Sequence, residues 1–324
     1  MSALLEGKVA IVTGSGQGIG RDVALCMARH GAMIVTNNRK PGSSLDAYEK
    51  TRIEFTDEER EAIESVTGDA QTTADQILRD GGRAVPFFGD VGDFATAGRM
   101  IDTAVDNFGR VDIIVNNASS NWSGSILDMD EELWDISVTS KLKGAFNLMH
   151  HALPQMKEQG FGRILNSSSD AFLGLEGLAA YSAANAGIVA LSKAAAEDLR
   201  GTGITVNAYT PLAKTRSWMN AAATYRLRGV SSEAIDAGAP DAMKRTPEGM
   251  VPFLAYLASD EAAAISGRLF RLTADGEIGV WSSPEVIRHI MADDGVWTID
   301  TLRDRVPGEL LSELDIARST IATT

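Results

Sequence analysis

Cysteine is all but missing from this chain of 324 residues: the single thiol, Cys26, excludes an internal disulfide and a cysteine-built metal cluster. Cys26 sits in an apolar stretch, so a buried thiol compatible with a reducing compartment is expected. Basic residues are also scarce, with 30 Lys plus Arg against 44 Asp plus Glu and a net charge of -14. Without a basic cluster, that balance repels a phosphate backbone and excludes nucleic acid as a partner. No run approaches the roughly 18 to 20 apolar residues that a membrane span requires. The opening MSALLEGKVAIVTG has no basic region ahead of a long apolar stretch, so a cytoplasmic protein without a membrane partner is expected. Internal repeats and low-complexity tracts are absent too. What remains is 44% hydrophobic and 23% charged residues, the composition of a packed globular chain.

Short β-branched runs alternate with longer segments of helical period, the pattern of strands buried on both faces beneath helices. It predicts a doubly wound α/β fold with a seven-stranded parallel sheet and helices on both faces. The strands are expected at 8–12, 33–37, 83–88, 111–116, 162–166, 204–208 and 269–273. Two segments break the rhythm. An acidic insertion at about 39–70, PGSSLDAYEKTRIEFTDEEREAIESVTGD at its heart, has the makings of a short helix capped at Thr56. It is expected as a surface excursion. Residues 281–324 carry helix and aromatic signals but no linker, and are expected as an appendage on the domain 1–280 or on a partner subunit.

The first strand runs straight into TGSGQGIG, residues 13–20, and then a helix. Gly14, Gly18 and Gly20 permit a tight turn, close backbone approach and close helix packing, with the helix N-terminus aimed at a pyrophosphate. A glycine-rich turn alone is weak evidence, but the strand before it and the helix after it make a dinucleotide cradle.

The spacing TGxxxGxG resembles the short-chain dehydrogenase/reductase family, whose Rossmann-like fold it implies. Asp90-Val91 resembles that family's adenine-contacting pair, Asn116-Asn117-Ala118-Ser119 its NNAG motif with serine for glycine, and ILNSSS, residues 164–169, the strand ending in its catalytic serine. Tyr181-Ser-Ala-Ala-Asn185 occupies the place of YxxxK. The closing LFRLTADGEIGVW is more loosely similar to the hydroxyacyl-CoA dehydrogenase domains of multifunctional β-oxidation enzymes. The resemblance implies cofactor contacts at Gly14, Ser15, Gln17, Gly18, Ile19, Gly20, Asn38, Arg39, Asp90, Val91, Asn117, Ala118, Pro211 and Thr215. It also implies a homodimer or homotetramer through the helices before and after Tyr181.

In that family a lysine four residues after the tyrosine lowers the phenol's pKa, because a group that titrates at about 10 needs a neighbouring positive charge to work as a base. Here Asn185 stands in that place. The preceding helix carries Lys141 where the family usually has asparagine, so the two appear exchanged. At 100° per residue Lys141 falls beside Ala145, Leu148 and Ala152, and Lys143 beside Asn147 and His150. Lys141 therefore borders the buried face, where it either restores the positive field at Tyr181 or snorkels to solvent along its stem. The serine is Ser169 counted along the strand and Ser168 counted back from Tyr181; Ser169 is preferred because loops vary more than strand ends. Its alternative role is a strand-end serine that bonds the backbone.

At the end of the second strand an acidic residue would bind the ribose 2′-OH of NAD, but Asn37-Asn38-Arg39-Lys40 suits a 2′-phosphate and favours NADP(H) over NAD(H). Residues 217–247, rich in Ala and Met with Trp218 and Tyr225, are expected to form a lid over an apolar small-molecule substrate. No metal site is expected. The reading is an NAD(P)-dependent oxidoreductase acting on a secondary alcohol or ketone, with Tyr181, Ser169, Lys141 and Asn185 at the site. Its rivals are non-redox chemistry on the same fold, such as dehydration or isomerisation, and a catalytically silent cofactor-binding subunit.

Overall fold

The computed structural model describes residues 3–42, 54–120, 125–227, 229–293 and 295–311. Its first compact unit runs from Met1 to Trp281 and holds one sheet. Seven strands are parallel: β1 (Val9–Val12), β2 (Met33–Asn38), β3 (Arg83–Phe88), β4 (Ile113–Asn116), β5 (Gly162–Ser167), β6 (Ile204–Leu212) and β7 (Leu269–Thr273). An eighth, β8 (Ile278–Val280), pairs antiparallel with β7 at the edge. The sequence predicts seven strands and misses this one because its ends, Ile278 and Val280, are exposed and leave no buried run to read. The sheet order is β3-β2-β1-β4-β5-β6-β7-β8. Chain order therefore reverses between β1 and β4, which opens a crevice at the carboxyl ends of those strands.

Two apolar layers cover the sheet. On one face α1 (Gly18–Arg29) and α10 (Val251–Leu257) bury Val23, Met27, Leu254 and Leu257 against Ala10, Val12 and Ile34. On the other, α4 (Phe94–Phe108), α6 (Gly144–Gln159) and α7 (Ala179–Asp198) bury Met100, Leu148, Met156 and Ala196 against Ile11, Ile114 and Ile164. Central strands such as Val9–Val12 are buried throughout, which is why they read as continuous apolar runs.

Within the insertion, α2 (Asp57–Ser65) starts at Thr56, whose hydroxyl accepts from Glu59 N while Glu59 accepts from Thr56 N. Residues 43–53 of the insertion lie outside the described residues. After α3 (Ala70–Arg79) and α5 (Glu131–Val138), the predicted lid forms α8 (Arg216–Leu227) and α9 (Ser232–Gly238). The lid is clasped to the insertion: Arg226 Nε donates to Glu59 Oε1 at 2.9 Å and its Nη2 to the Glu54 carbonyl at 2.7 Å. Phe55, Ile63 and Ala223 are buried together beside Met219.

The second unit is Ser282–Thr324. In it Thr298 caps α11 (Ile299–Arg305), and Arg305 binds Glu309 at 2.8 Å while its guanidinium lies 5.2 Å from the Trp297 ring. No helix among the described residues is long and apolar enough to cross a membrane.

Candidate active site

A cleft of about 1100 Å³ opens at the carboxyl ends of the strands, lined by the glycine turn, the ends of β2, β4 and β5, the insertion and the lid. Its floor is backbone. Gly14 takes φ +62°, and a Cβ there would meet Ala118 Cα at 3.0 Å. A Cβ on Gly20 would lie 2.4 Å from the Gly14 carbonyl oxygen, so α1 packs directly on the turn. Thr13 bolts the turn to the segment after β4: its hydroxyl accepts from Asn117 N at 3.0 Å and Ala118 N at 2.9 Å, while Asn117 Nδ2 donates to Thr13 O at 3.1 Å.

Gln17 begins α1 without capping it through its side chain, and no acidic residue lies in the first turn. The helix therefore presents its amides and positive pole at the cleft, where an anion fits. With the uncapped terminus, the glycine floor and a volume suited to an elongated ligand, the residues fit a dinucleotide pyrophosphate.

Of the predicted cofactor residues, Gly14, Gln17, Gly18, Ile19, Asn38, Arg39, Asp90, Val91, Asn117, Ala118, Pro211 and Thr215 line this cleft. Ser15 and Gly20 do not. Ser15 is fully buried behind the turn, its hydroxyl accepting from Asn37 N at 2.8 Å, and is a structural clip. Sequence reasoning passed over Gly16, whose Cβ would lie 2.6 Å from Asp69 Cα, so the far end of the insertion presses on the glycine turn. It also missed Asn147. This side chain is fully buried and donates to the Val91 carbonyl at 2.8 Å, holding the Asp90-Val91 loop, although the helical wheel puts it beside the exposed Lys143. A π-helical turn, Thr139–Lys143, precedes α6, but the cause is that α6 is enclosed on two sides, by the sheet against Leu148 and Ala152 and by α4 and the Asp90-Val91 loop against Asn147.

At the catalytic end, Ser169, Asp170, Tyr181 and Lys141 all face the cleft. Ser168 also borders the cleft but is buried, its hydroxyl committed to the Asn185 carbonyl at 3.1 Å, whereas Ser169 is near enough to Tyr181 to affect its titration. That geometry favours Ser169. Asn185 is fully buried behind Tyr181 and does not line the cleft; its amide donates to the Tyr181 carbonyl at 2.8 Å and its Oδ1 has no partner. Burial pushes the Tyr181 phenol up, contacts with Ser169 and Asn185 pull it down in part, and the Asp170 carboxylate pushes it up again. Asp170 was not foreseen. It is held by Arg271, Nε to Oδ2 at 3.2 Å.

Lys141 is 3% exposed. The amine does not snorkel to solvent, and among the described residues it makes no hydrogen bond or ion pair, with Tyr181 or any other group. Burial lowers its pKa to about 7. Among the described residues, an unpaired amine thus lies in the cleft and an amide in the helix behind the tyrosine.

Residues 61–225 match the family model for short chain dehydrogenase. The chain belongs to the short-chain dehydrogenase family. It is 34% identical to the hydroxyacyl-CoA dehydrogenase ChsB1 of Mycobacterium tuberculosis over 97% of this chain and 94% of that protein. It is 32% identical to the peroxisomal hydratase-dehydrogenase-epimerase of Saccharomyces cerevisiae over 82% of this chain but 26% of that longer protein. A short chain dehydrogenase from Mycobacterium avium superposes with a TM-score of 0.74 at 32% identity, over 95% of this chain and 96% of the other. Members of this family are oxidoreductases that use NAD(P)(H), so this short-chain dehydrogenase is an enzyme with an α/β Rossmann-like fold.

Proposed function

We propose that this short-chain dehydrogenase interconverts a secondary alcohol and a ketone on a largely apolar acyl thioester. The observation that carries the reading is the meeting of Ser169 and Tyr181 in one cleft with the glycine turn. When bound, a nicotinamide dinucleotide supplies or accepts the hydride. Gly14, Gly18 and the α1 terminus would hold its pyrophosphate, Asp90 and Val91 its adenine, and Pro211 and Thr215 its carboxamide. Ser169 and Tyr181 present hydroxyls to the substrate oxygen, and Tyr181 exchanges the proton.

Trp218, Met219 and Tyr225 of the lid line the cleft, as do Leu175, Leu178 and Met243, a lining suited to an acyl chain. Relatives named for hydroxyacyl-CoA substrates support the thioester. At the end of β2 the cleft meets Asn38 and Arg39, neither of them a carboxylate, and this supports NADP(H) over NAD(H). Phe94 and Phe146, stacked at 6.5 Å and both substantially exposed, support a second copy against α4 and α6, in a homodimer or homotetramer; the cytoplasm is the proposed location.

One observation favours a second reading: Tyr181 has no cation bonded to it and its pKa is raised, which suits a non-redox reaction or a silent subunit. The test is nicotinamide absorbance with NADPH and a 3-oxoacyl-coenzyme A. Substrate-dependent loss of the reduced form supports the oxidoreductase, and product formation without that loss selects the second reading.

A further inference from the structure

Tyr181 and Lys141 share a cleft and titrate in opposite directions. The phenol is pushed up, so alone it is a poor base near neutrality. The amine is buried, faces the cleft and is unpartnered among the described residues, the usual mark of a group waiting for a ligand.

The π-helical turn that carries Lys141 packs against α5, α6 and α7. On α5 the titratable groups are Glu131, Glu132 and Asp135, all exposed; on α6 they include His150, also exposed, and His151, whose Nε2 is 2.9 Å from the Phe94 carbonyl. Lys143, on the same turn, points to solvent. From α7 comes Tyr181, and from the turn after β5 comes Asp170, which Arg271 already holds. Asp90 lines the cleft, with Oδ1 taken by Gly92 N. No carboxylate pairs with the amine, and burial alone shifts it.

We propose that Lys141 Nζ works as a neutral amine and is the terminal acceptor of the proton that leaves the substrate hydroxyl, handed on by Tyr181; this deepens the function proposed above and rests on it. In alcohol oxidation the substrate O–H bond breaks and its proton joins the Tyr181 oxygen, as the phenol's own proton passes to Nζ through an intervening water. An N–H bond forms, the phenol ends unchanged, and the ammonium later returns the proton to solvent. The electron pair leaves with the hydride to the nicotinamide oxidant, outside this relay. Ketone reduction runs the relay backward from the ammonium. Tyr181 thus never has to persist as a buried phenolate, which costs most where no cation adjoins it.

The sign of the pH dependence follows. Oxidation needs the neutral amine, so its rate rises with pH through about 7; reduction needs the ammonium and falls through the same window. Two measurements on the whole protein test this. The first labels lysines with 13C-formaldehyde and borohydride and follows the Lys141 signal by NMR, with Lys141→Arg identifying it. A titration near 7 is expected, and one near the usual value of about 10 overturns the proposal whatever the enzyme does.

The second measures rates across pH with NADP+ and a 3-hydroxyacyl-coenzyme A in wild type, Lys141→Met and Lys141→Arg, alongside NADPH affinity by fluorescence. Both variants are expected to bind NADPH as wild type does, to lose about 100-fold or more in rate, and to lose the limb near 7. A limb that persists in Lys141→Met overturns the relay. A wild type that binds NADPH but oxidises no such substrate overturns the proposed function and the relay with it, even if Nζ titrates near 7.

Discussion

The two ends of the cleft are built by opposite means. At the nucleotide end the work falls to backbone and small residues: glycines that tolerate no Cβ, a Thr13 hydroxyl tied to two amides, and a helix terminus left open. At the catalytic end it falls to side chains from three separate elements, and two of them, Lys141 and Asn185, carry polar atoms with no partner among the described residues. The first end is fixed by what the main chain permits. The second is set by which side chains reach the cleft, and it is here that this chain departs from the family's pattern, with Asn185 after the tyrosine and Lys141 on the neighbouring turn.

Substitutions can push on either end separately. The largest effect is expected from Tyr181→Phe, which removes the hydroxyl proposed to hand on the substrate proton: turnover should fall by about 100- to 10,000-fold with NADPH affinity unchanged, measured by steady-state rates and fluorescence titration. Equal losses in both would mean that the two ends are not separable.

Next comes stability. Burial holds Lys141 at about 7 in the folded chain against about 10.4 unfolded, so between those values the unfolded state binds more protons and wild-type stability rises with pH. Lys141→Met removes that penalty. Chemical denaturation should show a gain of about 2 to 4 kcal/mol at pH 6 that shrinks by pH 9, while activity is lost. A gain independent of pH would place the charged amine in water.

A smaller change is expected at the nucleotide end. Arg39→Ala should raise the Kd for NADPH about 10-fold and leave that for NADH within about 2-fold, since one charge-assisted hydrogen bond contributes roughly 1.5 to 3 kcal/mol at most. Smallest is the clasp. Arg226→Ala cuts a part-exposed ion pair to Glu59 of the kind that stabilises by up to about 1 kcal/mol, and should speed NADPH release a few-fold by stopped flow with kcat/KM little changed.

The order of legibility follows from the same contrast. The seven parallel strands, the glycine turn and the Asp90 and Asn117 segments could be read because each is a constraint on neighbouring residues: a buried run, or a spacing that only glycine satisfies. The exchange of Lys141 with Asn185 was legible as a departure from a pattern, and the wheel placed Lys141 inward correctly. Asn147 was misplaced because α6 is enclosed on two sides, and a single apolar stripe does not announce the second. Asp170 gains its influence on Tyr181 from where β5 ends and from Arg271, a residue 101 positions away. Gly16 matters only because the insertion folds back onto it. β8 has no apolar signature because it is an exposed edge.

If Lys141 carries the proton relay proposed above, this end of the cleft stops working without it. The relay's most direct test follows NADPH absorbance as a 3-oxoacyl-coenzyme A is added, at neutral pH, to wild type and to Lys141→Met in parallel. Steady oxidation is expected in the first and about 100-fold less in the second, with both binding NADPH. Equal rates in the two would contradict it.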